Sequence, residues 1–273
     1  MNWQDPSPAL DHDACGIGFV TRLGAPSSRE IVDRALEALD RLSHRGAVDA
    51  EGTSGDGAGL MTAIPEEFFR REAGKKGVEL PVRFAVGMVF LQDGSEVEAR
   101  HLIEACAQDA GLNFLAWRGV PTNPAVLGAQ ALQFMPRIQQ VFLAATDRNL
   151  DLELQLFLYR KRVESVAPRG TYFCSLSSRT LVYKGLLSPS QLASFYPDLM
   201  HPEYRSSFAV FHQRFSTNTR PTRKRTWSYR CFCIASVWNR SPLVERIFAR
   251  CRRGPWSTRA CSRRVSWPPF IPT

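Results

Sequence analysis

Two rhythms of apolar residues run along this chain. Short apolar runs at 15–22, 60–64, 83–91, 114–119, 139–144 and 207–216 each predict a strand. Between them, apolar residues fall at helical spacing. Ile31, Ala35, Leu39 and Leu42 form one stripe, widened by Val32 and Leu36. Ser27-Ser28-Arg29-Glu30 has the spacing of a capping box at its start, and Gly46 is placed to end the helix. Pro65 opens a short helix to about Gly74, with acids early and bases late, as the helix dipole favours. Helices are also predicted over 95–110, with Leu102, Ile103 and Cys106 on one face, and over 151–165, with Leu152, Leu154, Leu156 and Tyr159. Thr171–Ser175 and Leu181–Tyr183 predict a hairpin around Ser177-Ser178-Arg179. No repeat is visible. The fold class expected is α+β, a two-layer sheet core covered by helices.

The length of 273 residues suits one large domain or two small ones, and 44% hydrophobic residues suffice for a sizeable core. No run of about 18 apolar residues occurs, so no membrane partner is expected. Residues 1–14 hold Asp5, Asp11 and Asp13, no Lys or Arg, and no apolar stretch, which is not the pattern of a secretory signal. Seven irregularly spaced cysteines fit a reducing compartment. Together these features predict a cytoplasmic location.

The net charge of +9 is not spread evenly. Residues 221–273 hold eleven Arg and one Lys against a single acid, Glu245, so residues 1–220 are slightly acidic. The same segment holds four of the six Trp and four of the seven Cys. Its cysteines, Cys231, Cys233, Cys251 and Cys261, lack paired zinc-ligand spacing, and it has no His. No metal site is expected, and nucleic acid is not expected as a partner. This Arg-, Trp- and Cys-rich composition is what an out-of-frame reading of a GC-rich gene produces. Residues 221–273 are therefore expected to be a disordered tail beside a domain spanning 15–220.

Candidate chemistry begins at Cys15, in Asp13-Ala14-Cys15-Gly16-Ile17-Gly18-Phe19. Removal of residues 1–14 as a leader would give Cys15 both a thiol and an α-amino group, a nucleophile and its base on one residue. The alternative is a buried cysteine at a strand start. Gly52–Gly59 lacks the Gly-Lys-Ser/Thr ending of a phosphate loop and is read as a tight loop feeding a core strand. His212, on an apolar strand, is read as a packed core histidine.

Three ordered segments carry more than composition. They are Cys15–Phe19, then His44-Arg45-Gly46-Ala47 with Thr53–Leu60, and Phe211-His212-Gln213-Arg214-Phe215-Ser216-Thr217-Asn218-Thr219. Trp117–Asn123, Pro136-Arg137-Ile138 and Tyr183–Leu186 lie between them. From about residue 10 to about 222 the chain resembles the amino-terminal domain of the large subunit of bacterial-type glutamate synthase. That domain is a class II glutamine amidotransferase of the N-terminal nucleophile hydrolase group. The resemblance implies a four-layer αββα sandwich, incomplete here at its C-terminal end, with Cys15 exposed by processing as the nucleophile. It implies glutaminase activity, releasing glutamate and ammonia from L-glutamine. Arg214 and Thr217 would clamp the substrate α-carboxylate, and Arg45 would border the site. For the full-length enzyme it implies FMN, an iron–sulfur cluster and a small-subunit partner, none of them belonging to this stretch.

The pattern breaks after Thr219-Arg220-Pro221-Thr222. The family continues to a His-Asn-Gly-Glu motif that supplies the oxyanion hole, and no such motif follows here. A catalytically inactive fragment is therefore the alternative expectation.

Overall fold

The most apolar segment, Ala85–Leu91 (β3), is buried at every position, so its sheet must be covered on both faces. In the computed structural model, which describes residues 16–46, 52–147 and 149–213, it is. The strands β1 (Gly16–Thr21), β2 (Ala58–Ala63), β3, β4 (Leu112–Gly119), β5 (Arg137–Ala145), β6 (Tyr172–Ser177), β7 (Thr180–Gly185) and β8 (Phe208–Gln213) build two antiparallel sheets. One has the order β1-β8-β2-β7, the other β4-β5-β3-β6. Six α-helices lie among the described residues: α1 (Arg29–Asp40), α2 (Glu66–Gly74), α3 (Glu96–Asp109), α4 (Ala129–Gln133), α5 (Leu152–Val166) and α6 (Pro189–Phe195).

Strand alternation sorts the second sheet into two cores. Ala85, Val89, Leu91, Val141, Leu143 and Phe173 pack with α3 and α5 through Ile103, Leu156 and Tyr159. Val86, Met88, Phe90, Phe142 and Tyr172, on the opposite face, join a larger core. That core also takes Leu60, Tyr183, Ala209 and Phe211 of the first sheet, and Val32 and Leu39 of α1. The chain is α+β with paired antiparallel sheets and flanking helices, the arrangement of an αββα sandwich.

A buried polar knot ties the two sheets together. Arg118 on β4 donates to both carboxylate oxygens of Asp198, at 2.7 and 2.8 Å, and to Gln140 Oε1 on β5 at 2.8 Å. Gln140 Nε2 donates to Tyr183 Oη on β7 (3.2 Å), which itself donates to Asp198 (2.8 Å). Glu72 of α2 adds a second carboxylate 3.1 Å from Arg118. Burial alone would lower the Arg118 pKa, but its bonds to Asp198 reverse the effect and raise it. Burial, with the Asp198 charge, pushes the Tyr183 phenol well above its usual range.

Three local expectations need correction. Helix α1 starts at Arg29 with Ser28 as its N-cap, and no side chain caps it. Glu30 is drawn instead to Arg22 and Arg34, while Ser28 is fixed by reciprocal backbone bonds with Ser206. Gly46 does not end α1. It closes a separate 3-10 turn over Ser43–Arg45 with an extended backbone, its N–H donating to Ser43 O. Finally, β6 and β7 are not a hairpin, because they belong to different sheets. Ser177 Oγ accepts from Arg179 N–H and Thr180 N–H, and Glu153 holds Ser178, so the chain turns out of one layer into the other. Ser175 Oγ then accepts from Val182 N–H across the gap (3.1 Å).

Candidate active site

One row of residues ends the first sheet. Gln213 at the end of β8 pairs with Gly16 at the start of β1 and with Ala58 at the start of β2. Ala58 pairs in turn with Gly185, the last residue of β7. The motif segments on β1, β2, β7 and β8 meet the sheet at this row, whereas Trp117–Asn123 and Pro136-Arg137-Ile138 lie at β4 and β5 of the second sheet.

Close approaches made possible by glycine hold the surrounding loops on it. A Cβ on Gly16 would lie 2.9 Å from Leu42 Cδ1, so its absence lets the end of the first helical segment sit against β1. A Cβ on Gly46 would overlap the Gln213 amide nitrogen and lie 3.3 Å from Asp56 Oδ1. A Cβ on Gly55 would meet the backbone of Leu187 and Ser188 at 2.5 Å. Gly57 holds φ 122°, a conformation that L side chains rarely adopt. The loop before β2 is further anchored by Ser54 Oγ, which accepts from Ala131 N–H (3.2 Å). This is the tight loop feeding a core strand that the sequence implied.

Gln213 is the polar centre of the corner. It is 1% exposed, and its Nε2 donates to Asp56 Oδ1 at 3.4 Å. Its Oε1 is buried and accepts no hydrogen bond from the described residues. His212, the preceding residue, is 7% exposed, and burial lowers its pKa to about 4. It is a core histidine, neutral at ordinary pH, in keeping with the sequence reading.

Cys15, Arg214 and Thr217 lie outside the described residues, as does the whole of 221–273. Arg45 is described only through its backbone, as the last residue of the 3-10 turn. The structure therefore describes the row beside Cys15 and Arg214 but not these side chains themselves. Sequence reasoning missed Gln213 and Asp56 as a contact, although both sit inside the motif segments. Nothing in their spacing shows that residues 157 positions apart meet. Among the described residues, no group of three or more His, Cys, Asp or Glu could hold a metal ion. Nor is any described helix long and apolar enough to cross a membrane.

Residues 15–235 match the family described as glutamine amidotransferases class-II, and the chain belongs to it. Glutamate synthases are among the curated relatives it matches. The chain is 41% identical over 228 residues to the large chain of NADPH glutamate synthase from Bacillus subtilis (strain 168), covering 80% of this chain and 15% of that protein. It is 40% identical over 228 residues to the corresponding large chain of Azospirillum brasilense, covering 79% and 15%. To the ferredoxin-dependent glutamate synthase of Pyropia yezoensis it is 42% identical over 221 residues, covering 77% and 14%. The chain thus spans about a seventh of the length of these relatives.

Proposed function

We propose that this chain is the glutaminase part of a glutamate synthase, and that Cys15, freed at its amino terminus, is the nucleophile. The observation that carries this reading is the Gly16–Gln213 pair. Cys15 precedes one partner and Arg214 follows the other. The Cα atoms of such antiparallel partners are about 4.5–5.5 Å apart, so the residue after Cys15 and the residue before Arg214 stand side by side at one end of one strand pair. The family match opens on residue 15.

The chemistry follows from these groups. An α-amino group has an ordinary pKa near 8 and can take the thiol proton at working pH. The Cys15 sulfur attacks the side-chain carbonyl carbon of L-glutamine. The carbon–nitrogen bond breaks, and ammonia leaves with the proton held by the amine. Water then cleaves the thioester, returning the thiol and releasing glutamate. Arg214 binds the substrate α-carboxylate bidentately, Thr217 adds a hydroxyl, and Arg45 borders the site. FMN, an iron–sulfur cluster, the conversion of 2-oxoglutarate and a small-subunit partner belong to the full-length enzyme, and this step uses none of them. A cytoplasmic location fits the reading.

The absence of a His-Asn-Gly-Glu motif after Thr219 favours a second reading, an inactive fragment without its oxyanion hole. Loss of one oxyanion donor typically lowers turnover by about 10²–10³-fold. Incubation of the full chain with L-glutamine separates the two. The proposal expects equal amounts of glutamate and ammonia from the wild type and none from Cys15→Ala. No product from the wild type would favour the inactive fragment.

A further inference from the structure

We infer that Gln213 is a positioning residue for the substrate clamp, a reading that rests on the glutaminase proposal above. Gln213 stands at the junction of every segment that carries a candidate group. Through its backbone it pairs with Gly16, next to Cys15, and it directly precedes Arg214. Through its side chain it reaches the Asp56 loop and lies against Gly46, next to Arg45. The Gly46 contact is so close that no other residue type fits without displacing the amide: its Cβ would overlap Nε2 and lie 3.1 Å from Cδ.

A buried carbonyl with no donor is a net loss to folding, since its desolvation is not repaid by a hydrogen bond. Among the described residues, none donates to Gln213 Oε1. An apolar side chain of similar length would avoid the loss, yet it would also give up the bond to Asp56. The amide ties the 43–46 turn and the Asp56 loop to the strand ends. A carboxylate clamp needs that fixity, because a bidentate guanidinium contact is directional.

The test uses the full 273-residue chain. The rate at which iodoacetamide alkylates Cys15 is followed by peptide mass mapping, with and without L-glutamine. Attack on iodoacetamide needs the thiol but not the clamp, whereas protection by glutamine needs the clamp. Gln213→Met is expected to keep the wild-type alkylation rate and thermal midpoint, and to need at least about tenfold more L-glutamine for half-protection. Gly46→Ala displaces the same amide from the other side and is expected to raise the glutamine requirement in the same way; it keeps the test valid if the methionine variant does not fold. If both folded variants are protected at the wild-type glutamine concentration, Gln213 only fills space and the inference fails alone. If wild-type Cys15 is not protected at any glutamine concentration, the glutaminase reading fails and this inference falls with it.

Discussion

His212 stands on β8 with its ring withdrawn from water, and its pKa falls to about 4 because burial disfavours the charged form. In an unfolded chain a histidine titrates near 6.5. Between those two values the unfolded chain binds a proton that the folded chain refuses. Stability therefore climbs as pH rises from about 4 to about 6.5, and this group contributes no slope outside that window. The full span is about 3 kcal/mol. Urea midpoints at pH 5 and pH 7.5 should differ for the wild type and differ clearly less for His212→Gln; equal differences would contradict the assignment. Glycines make a second contrast at this scale. Gly55→Ala places a Cβ on the backbone of Leu187 and Ser188, which cannot swing aside, and should destabilise by about 1–3 kcal/mol. Gly74→Ala, at the end of α2 with open space around it, should be neutral or stabilising by up to about 1 kcal/mol. Thermal unfolding of the two variants checks the order, and a reversed order would refute it.

Elements with a long, unambiguous rhythm are legible in the amino-acid sequence. The apolar run of β3, the strand spanning β5, the Pro65-led helix and the stripe of α1 all sit within a few residues of their expected places. Two kinds of element are not legible. Helix α4 is only five residues long, too short to show a period, and α6, of seven residues, shows only a start signal, Ser188-Pro189-Ser190-Gln191 with capping-box spacing and Pro at its first position. The partner of β7 is also out of reach. Local spacing favours a hairpin, whereas the choice is made by β2, whose Leu60 and Thr62 register with Tyr183 and Leu181. The site is half legible: the motifs mark the segments, but the meeting of Gln213, Gly46 and Asp56 is a product of topology. The Arg118 knot belongs to the same class. Arg118→Met leaves the Asp198 carboxylate buried without its cation, while Glu72 keeps Lys75, and should lower stability by about 3–5 kcal/mol. Arg118→Met with Asp198→Leu should recover part of that loss, since a packed apolar pair can replace a buried ion pair. Urea denaturation of the single and double variants reads both values; a single variant within about 0.5 kcal/mol of wild type would contradict the knot's role.

At the scale of the molecule, the first sheet is unevenly covered. On β1, Gly18 and Val20 turn toward the large core, while Ile17 and Phe19 point the other way and are 56% and 71% exposed. Their neighbours on that face across the ladder are His212 and Val210. Such a row favours association of the isolated chain. Phe19→Thr with Ile17→Thr should lower light scattering of the concentrated protein while moving its stability by no more than about 0.5 kcal/mol. Unchanged scattering would show that the row is harmless. The same strand leads back to Cys15, on which the functional account rests. Its most direct test is to treat the full chain with the diazoketone analogue of glutamine, digest it and map the adduct by mass spectrometry. The account predicts a single adduct on the sulfur of a Cys15 that has become the amino terminus, suppressed by excess L-glutamine. An unmodified Cys15, or label spread over the other cysteines and indifferent to glutamine, would contradict it.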